Sequence, residues 1–251
     1  MYWIDILHDA GISWTLVGVV FAASSLQAIT GIGFGVIAGP SLLVAMGSSS
    51  AIQVSIVLSF LIAIILCPDT LQKVNWTLLK PLLFGVAIGT PLGALAYLGL
   101  SIGMLKAVAA VIVFAMTLIA AGFLANNPIF TRDSPKRRTL VGVVCGTLNT
   151  MLAMPGPPVA AFATAIRMDK EALRATTLVT FLFAYPIALS FHAWFAGLSN
   201  ALSSVAIPLT LPTLLGTLTG VAISKKLDER WFKWLTVTLL SMSVLKLVWS
   251  G

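Results

Sequence analysis

Six stretches of the chain, 49–67, 78–99, 104–125, 172–193, 201–223 and 231–249, are long and apolar, with few charges among them. A bilayer core about 30 Å thick takes roughly 20 helical residues, so each stretch fits one crossing. Composition rules out a soluble reading. Lys, Arg, Asp and Glu supply only 9% of the 251 residues and mean hydropathy is +1.03, whereas a soluble domain carries roughly 25% charge. So few charges cannot cover a water-facing surface, and the fold class expected is an all-α polytopic membrane protein.

The net charge of +7 does not point to nucleic acid, because the bases sit in short clusters between apolar runs. Cys67 and Cys145 lack CxxC or Cys/His spacing and read as small apolar residues. The start, MYWIDILHDA, has no basic segment and carries Asp5 and Asp9, so it reads as retained and not as a cleaved signal.

Two further apolar runs, 14–46 and 140–166, are too long for one simple span, and each is broken near its middle. The breaks read ITGIGFG, from Ile29 to Gly35, and AMPGPP, from Ala153 to Pro158. Lys and Arg collect in short cytoplasmic loops, which decides how these runs lie. As single spans they leave seven bases inside and eight outside; as re-entrant hairpins they leave 13 inside and only Lys106 and Lys246 outside. The hairpin reading is taken. It places Trp14, Trp194 and Trp249 near outer span ends and Trp76, Trp231 and Trp234 near inner ones, as interfacial belts require.

Each half then has one plan: a broken hairpin followed by three spans, an odd number, so the halves have inverted topology. The expected division is an N-terminal repeat at 1–125, a cytoplasmic linker at 126–139 (NNPIFTRDSPKRR with its flank) and a C-terminal repeat at 140–251, with both termini periplasmic. The halves share faint similarity. PLLFGVAIGTPLG from Pro81 matches PLTLPTLLGTLTG from Pro208 at an offset of 127, and Gln27 and Gly31 align with Asn149 and Ala153 at an offset of 122.

Inverted repeats with discontinuous helices are a transporter design, with substrate held at midplane where the breaks meet. Broken ends carry unpaired N–H and C=O groups that lipid cannot solvate, and helix N-termini favour anions. The substrate-binding candidates are therefore Gln27, Thr30, Gly31, Gly33, Phe34 and Gly35 at the first break, and Asn149, Thr150, Pro155 and Gly156 at the second. Glycines allow close backbone approach, while the amides and hydroxyls can bond an anion or merely cap helix ends. Secondary candidates are Ser55 and Ser59, one turn apart, Thr176, Thr177 and Thr180 in the equivalent stretch, Tyr185 before Pro186, and His192, which could titrate. No Asp or Glu falls inside an expected span, so the site is expected to bind through dipoles and amides without fixed charge.

Enzymatic chemistry lacks its parts. His192 is the one candidate base, no GxSxG surrounds a serine and no HExxH is present, so neither a protease nor a zinc centre is expected, and no metal or cofactor is assigned.

GIGFG followed by GPSLL, in a chain of two weakly similar apolar halves, resembles the sulfite exporter TauE/SafE family of membrane permeases across about Trp14 to Trp249. In that family each half opens with a Gly-rich segment leading to a Pro. Gly31, Gly33, Gly35 and Pro40 match, while the second half has Pro155, Gly156, Pro157 and Pro158 where glycines are expected. The resemblance implies transport of a small sulfur-containing anion, such as sulfite, sulfoacetate or another organosulfonate, across a bacterial inner membrane. The partners expected are that anion and membrane lipid. An anion channel and a structural membrane subunit without transport are the rival readings.

Overall fold

The computed structural model describes residues 11–31, 33–121, 133–224, 237–238, 240–243, 245 and 249, and the described residues form helices and connecting turns with no strand. Helix α1 (Trp14–Thr30) is started by Ser13, whose hydroxyl accepts the Leu16 N–H, and is stopped by Gly31. After the break, α2 (Phe34–Met46) runs to a second left-handed glycine, Gly47. Next come α3 (Ser50–Leu66), a 3-10 turn (Pro68–Lys73), α4 (Trp76–Gly99) capped by Asn75, and α5 (Ile102–Ala121).

In the second part Ser134 caps α6 (Pro135–Leu152), with Pro135 in the first turn where its missing N–H costs nothing. The second break separates it from α7 (Gly156–Ala165). Helix α8 (Lys170–Phe195) is capped by Asp169, which accepts from the N–H groups of Glu171 and Ala172, and a π-helical turn (Leu202–Ala206) leads into α9 (Ile207–Ser224). The last expected span, 231–249, the end of the expected span 104–125 from 122 on, the linker residues 126–132 and the N-terminal ten residues lie outside the described residues, apart from scattered helical positions between 237 and 249.

Among the described residues, four helical segments are long and apolar enough to cross a membrane: Trp76–Gly99, Ile102–Ile119, Lys170–Phe195 and Leu202–Ser224. The stretch expected to span at 49–67 forms a helix of 17 residues, about 25 Å long, and most of its side chains are buried in the protein. Both long broken runs are helix, break, helix. Large exposed side chains such as Phe84, Leu95, Val111, Phe114, Ile207 and Leu218 are apolar, so the outside suits lipid.

Two glycine seams hold the molecule together. On α4, Gly85, Gly89 and Gly93 lie so close to α6 that a Cβ on any of them would overlap the carbonyls of Thr139, Val143 and Thr147. On α9, Gly216 and Gly220 lie equally close to the Phe21 and Ser25 carbonyls of α1. Such contact of backbone with backbone is what small residues permit where lipid supplies no hydrophobic drive. The seams correspond residue by residue. Gly89 meets Val143 and Gly216 meets Phe21; Gly93 meets Thr147 and Gly220 meets Ser25; in both, the α4/α9 residues differ by 127 and the α1/α6 residues by 122. The side-chain bonds follow the same rule: Thr147 Oγ1 donates to Gly89 C=O at 3.1 Å, and Ser25 Oγ donates to Gly216 C=O at 2.8 Å.

Candidate functional site: the meeting of the two breaks

The two broken helices stop in the same way. Gly31 (φ 76°) turns its N–H back to Gln27 C=O at 2.7 Å, and Ala153 (φ 58°) turns its N–H back to Asn149 C=O at 2.7 Å. A left-handed alanine costs about 1 kcal/mol that glycine avoids, so the second break is the more strained.

Past the caps the breaks differ. The first-turn N–H groups of a helix have no intrahelical acceptor. At α2 these belong to Phe34, Gly35 and Val36, and Gln27 reaches across the break so that its Oε1 accepts the Phe34 N–H at 3.2 Å. At α7 the corresponding positions are Gly156, Pro157 and Pro158, with Pro155 before them, which leaves the Gly156 N–H alone. One half-helix presents donors. The other has had them removed.

The breaks touch. A Cβ on Gly35 would overlap the Ala153 carbonyl oxygen, so only glycine fits between them. Beside this contact lies a small cavity of about 10 Å³, lined by Gln27, Gly33 and Gly35 from the first break, Pro155 and Gly156 from the second, and Tyr185 from α8, with Val36, Ala153, Met154 and Phe181 closing it. Its free space holds about one water.

Two buried amides flank the breaks with opposite unused chemistry. The Gln27 atom facing the Phe34 N–H must be its oxygen, so Nε2 points elsewhere, and it has no hydrogen-bond partner. The Asn149 atom facing the Ala184 carbonyl, at 2.8 Å, must be nitrogen, and its Oδ1 is the atom left without a partner. Gln27 therefore has donors to spare and Asn149 an acceptor.

The other candidates are placed elsewhere. Thr30, Thr150 and Thr180 return their hydroxyls to their own helices, on Leu26, Gly146 and Thr176 carbonyls. Thr176 Oγ1 accepts the Asn75 N–H at the head of α4. Gly31 sits under Arg174, and Phe34 is packed in the core. Ser55 and Thr177 are buried with hydroxyls lacking a partner, and Ser59 is buried beside Tyr185, but none of the three lines the cavity. His192 is buried too, with Nε2 at 2.8 Å from the Thr150 carbonyl.

A fixed charge stands near the first break, although it does not line the cavity. Arg174, in the first turns of α8, packs over Gly31, where a Cβ would come within 2.9 Å of its Cγ, and its Nη2 donates to the Ala28 carbonyl at 2.6 Å. A guanidinium thus stands at the carbonyl end of α1, where the helix dipole favours a cation. The sequence hint was an arginine one turn inside an otherwise apolar helix. Among the described residues no three of His, Cys, Asp and Glu come together, and no metal-ligating set is assigned.

The sequence profile of the family described as "Sulfite exporter TauE/SafE" matches residues 16–247. The chain belongs to that family. TauE/SafE proteins are membrane permeases, so these helices are those of an integral membrane transport protein. No curated protein and no solved structure gives a significant match, so the TauE/SafE assignment rests on the family profile.

Proposed function

We propose that the chain is an alternating-access carrier for a small sulfur-containing oxyanion or organosulfonate, held between the two breaks. The carrying observation is the buried, unpartnered Gln27 Nε2 beside the donor-rich first turn of α2, on a cavity shared by both breaks. Unused N–H groups at a helix N-terminus are what an anion needs, and a desolvated site makes each worth more than in water. Gly35, Val36 and Gln27 supply donors, and Pro155, Gly156 and Tyr185 form the opposing wall. Asn149 Oδ1 supplies an acceptor for a protonated anion oxygen.

With room for about one water, the cavity must widen before a three-oxygen anion enters. That favours a carrier, whose halves part to load, over an open channel. The matched seams support two repeats. In this reading the repeats are inverted, the membrane is the bacterial inner membrane, the linker is cytoplasmic and the termini are periplasmic.

The test is counterflow in proteoliposomes with sulfite, sulfate, thiosulfate, taurine, sulfoacetate and isethionate. A carrier accelerates exchange when the same anion is present on both sides; a channel does not. If none of these anions moves, the reading fails.

A further inference from the structure

The end carbonyls of the two broken helices are held by side chains of one helix, α8. Arg174 Nη2 holds Ala28 C=O at 2.6 Å, and His192 Nε2 holds Thr150 C=O at 2.8 Å. Ala28 and Thr150 are equivalent under the same offset of 122 that relates the caps and seams. Both lie in the last turn of their helices, where carbonyls have no intrahelical donor. The latches stand about 27 Å apart along α8. They differ in one respect: arginine keeps its proton at all working pH values, and histidine does not.

We propose that His192 is a proton-binding site, and that protonation of its Nδ1 is coupled to anion movement through the second break. A carbonyl can only accept, so Nε2 carries the hydrogen in this structure and Nδ1 carries a lone pair. That Nδ1 is buried and has no hydrogen-bond partner. Helix α4 contributes the titratable group that faces the ring, Tyr97, edge-on with centroids 4.1 Å apart; α6 contributes the Thr150 carbonyl; Ala94, Leu98, Phe191, Phe195 and Ala196 complete the surround. No charged side chain is among them.

An imidazolium here has no counter-ion, and burying an unpaired charge is costly. Two things offset the cost: the carbonyl end of α6, whose dipole favours a cation, and an anion at the break, three residues on from Thr150. Proton and anion then stabilise each other, and a proton taken up with a monovalent anion makes the load neutral. The ring is sealed from water in this structure, with Tyr97 standing between it and the nearest open space. Tyr97 also lines an open, polar vestibule of about 560 Å³ formed with Ser49, Ser50, Gln53, Gly197 and Ser199. When the carrier opens past Tyr97, the proton passes from vestibule water to the Nδ1 lone pair, and it leaves as hydronium when the anion leaves.

The inference rests on the carrier reading, and two measurements separate their failures. Nitrogen-15 NMR of histidine-labelled His8→Gln protein follows the His192 ring alone. As the pH is lowered to about 5 it should pass from the Nε2–H tautomer to imidazolium, and at a higher pH with the transported anion present than without it; a ring that stays neutral throughout overturns the proposal whatever anion is carried. In proteoliposomes, His192→Gln, which keeps an N–H for Thr150, should reduce accumulation driven by a pH gradient at least about tenfold, while exchange at equal pH falls less than about threefold. Gradient-driven accumulation that survives in His192→Gln overturns the coupling. If wild-type protein exchanges no anion, the carrier reading falls instead, and the titration alone decides the proton site.

Discussion

The first break is built from glycine and the second from proline, and the same turn of the chain emerges with opposite surface chemistry. Both helices end in a left-handed residue bonded four residues back. Glycine then leaves every backbone N–H in place and lets the Ala153 carbonyl approach Gly35, whereas proline enforces the return by deleting N–H groups. The amides repeat the contrast, with spare donors on Gln27 and a spare acceptor on Asn149. A break of either kind satisfies the fold. Only the glycine kind offers an anion a row of donors.

Gly35→Val should produce the largest effect, because its side chain would occupy the space of the Ala153 carbonyl. Anion exchange should fall by at least about 100-fold, as misplacement of a site by about 1 Å can, with a lower melting temperature of the detergent-solubilised protein. Retained exchange would remove the first break from the site.

The next effect separates the amides. Gln27→Leu should weaken anion affinity by about 100-fold, the scale of losing one preorganised donor. Asn149→Leu should weaken it less and show more in thermal stability, since it breaks the bond to Ala184 and costs about 1 kcal/mol. Titrating exchange rate against anion concentration in both variants measures this, and the reverse order breaks the contrast between donor side and wall.

Smaller again is Pro157→Ala, which restores one N–H to α7. If the second break serves as a wall, affinity should change by less than about threefold, under 1 kcal/mol. A clear gain would show that the second break faces the anion as a donor.

The smallest effect lies at the start of α6, the helix that leads into the second break. Arg138 pairs with Asp133 through two bonds and donates to the Thr77 carbonyl of α4 at 2.8 Å. The guanidinium holds the Asp133 carboxyl below its ordinary value near 3.8. Stability from the pair is therefore present above that value and is lost as pH falls through the lower folded one. Asp133→Asn should cost under about 1 kcal/mol in melting experiments at neutral pH, less in high salt.

The sequence shows the breaks because glycine and proline act locally: their restriction or freedom of φ is the same in any context. Gly31 and Phe34, where α1 stops and α2 starts, could be read directly. Four of the long apolar stretches were legible for the same reason, since hydropathy depends on composition alone. Contacts between distant residues were not. Gln27 and Asn149 are both amides at equivalent positions, and their opposite roles come from neighbours seven and 35 residues away, Phe34 and Ala184. Arg174 looked like one more orientation-setting base because its reach back to Ala28 spans 146 residues. The hydroxyls of Thr30, Thr150 and Thr180 donate to carbonyls of their own helices, the partners closest to hand.

Each glycine seam joins a helix before the linker to one after it: α4 to α6, and α1 to α9. During synthesis the early helices enter the membrane before their partners exist. On α4 a groove of bare glycines suits that interval, because lipid tails fill it without stranding any polar group until α6 displaces them; at the other seam the glycines are on the later helix, α9. Neither portion of the chain is a separate folding unit. The glycine-seam partner of α4 is α6 and that of α1 is α9, so each seam can close only after helices on the far side of the linker have been made.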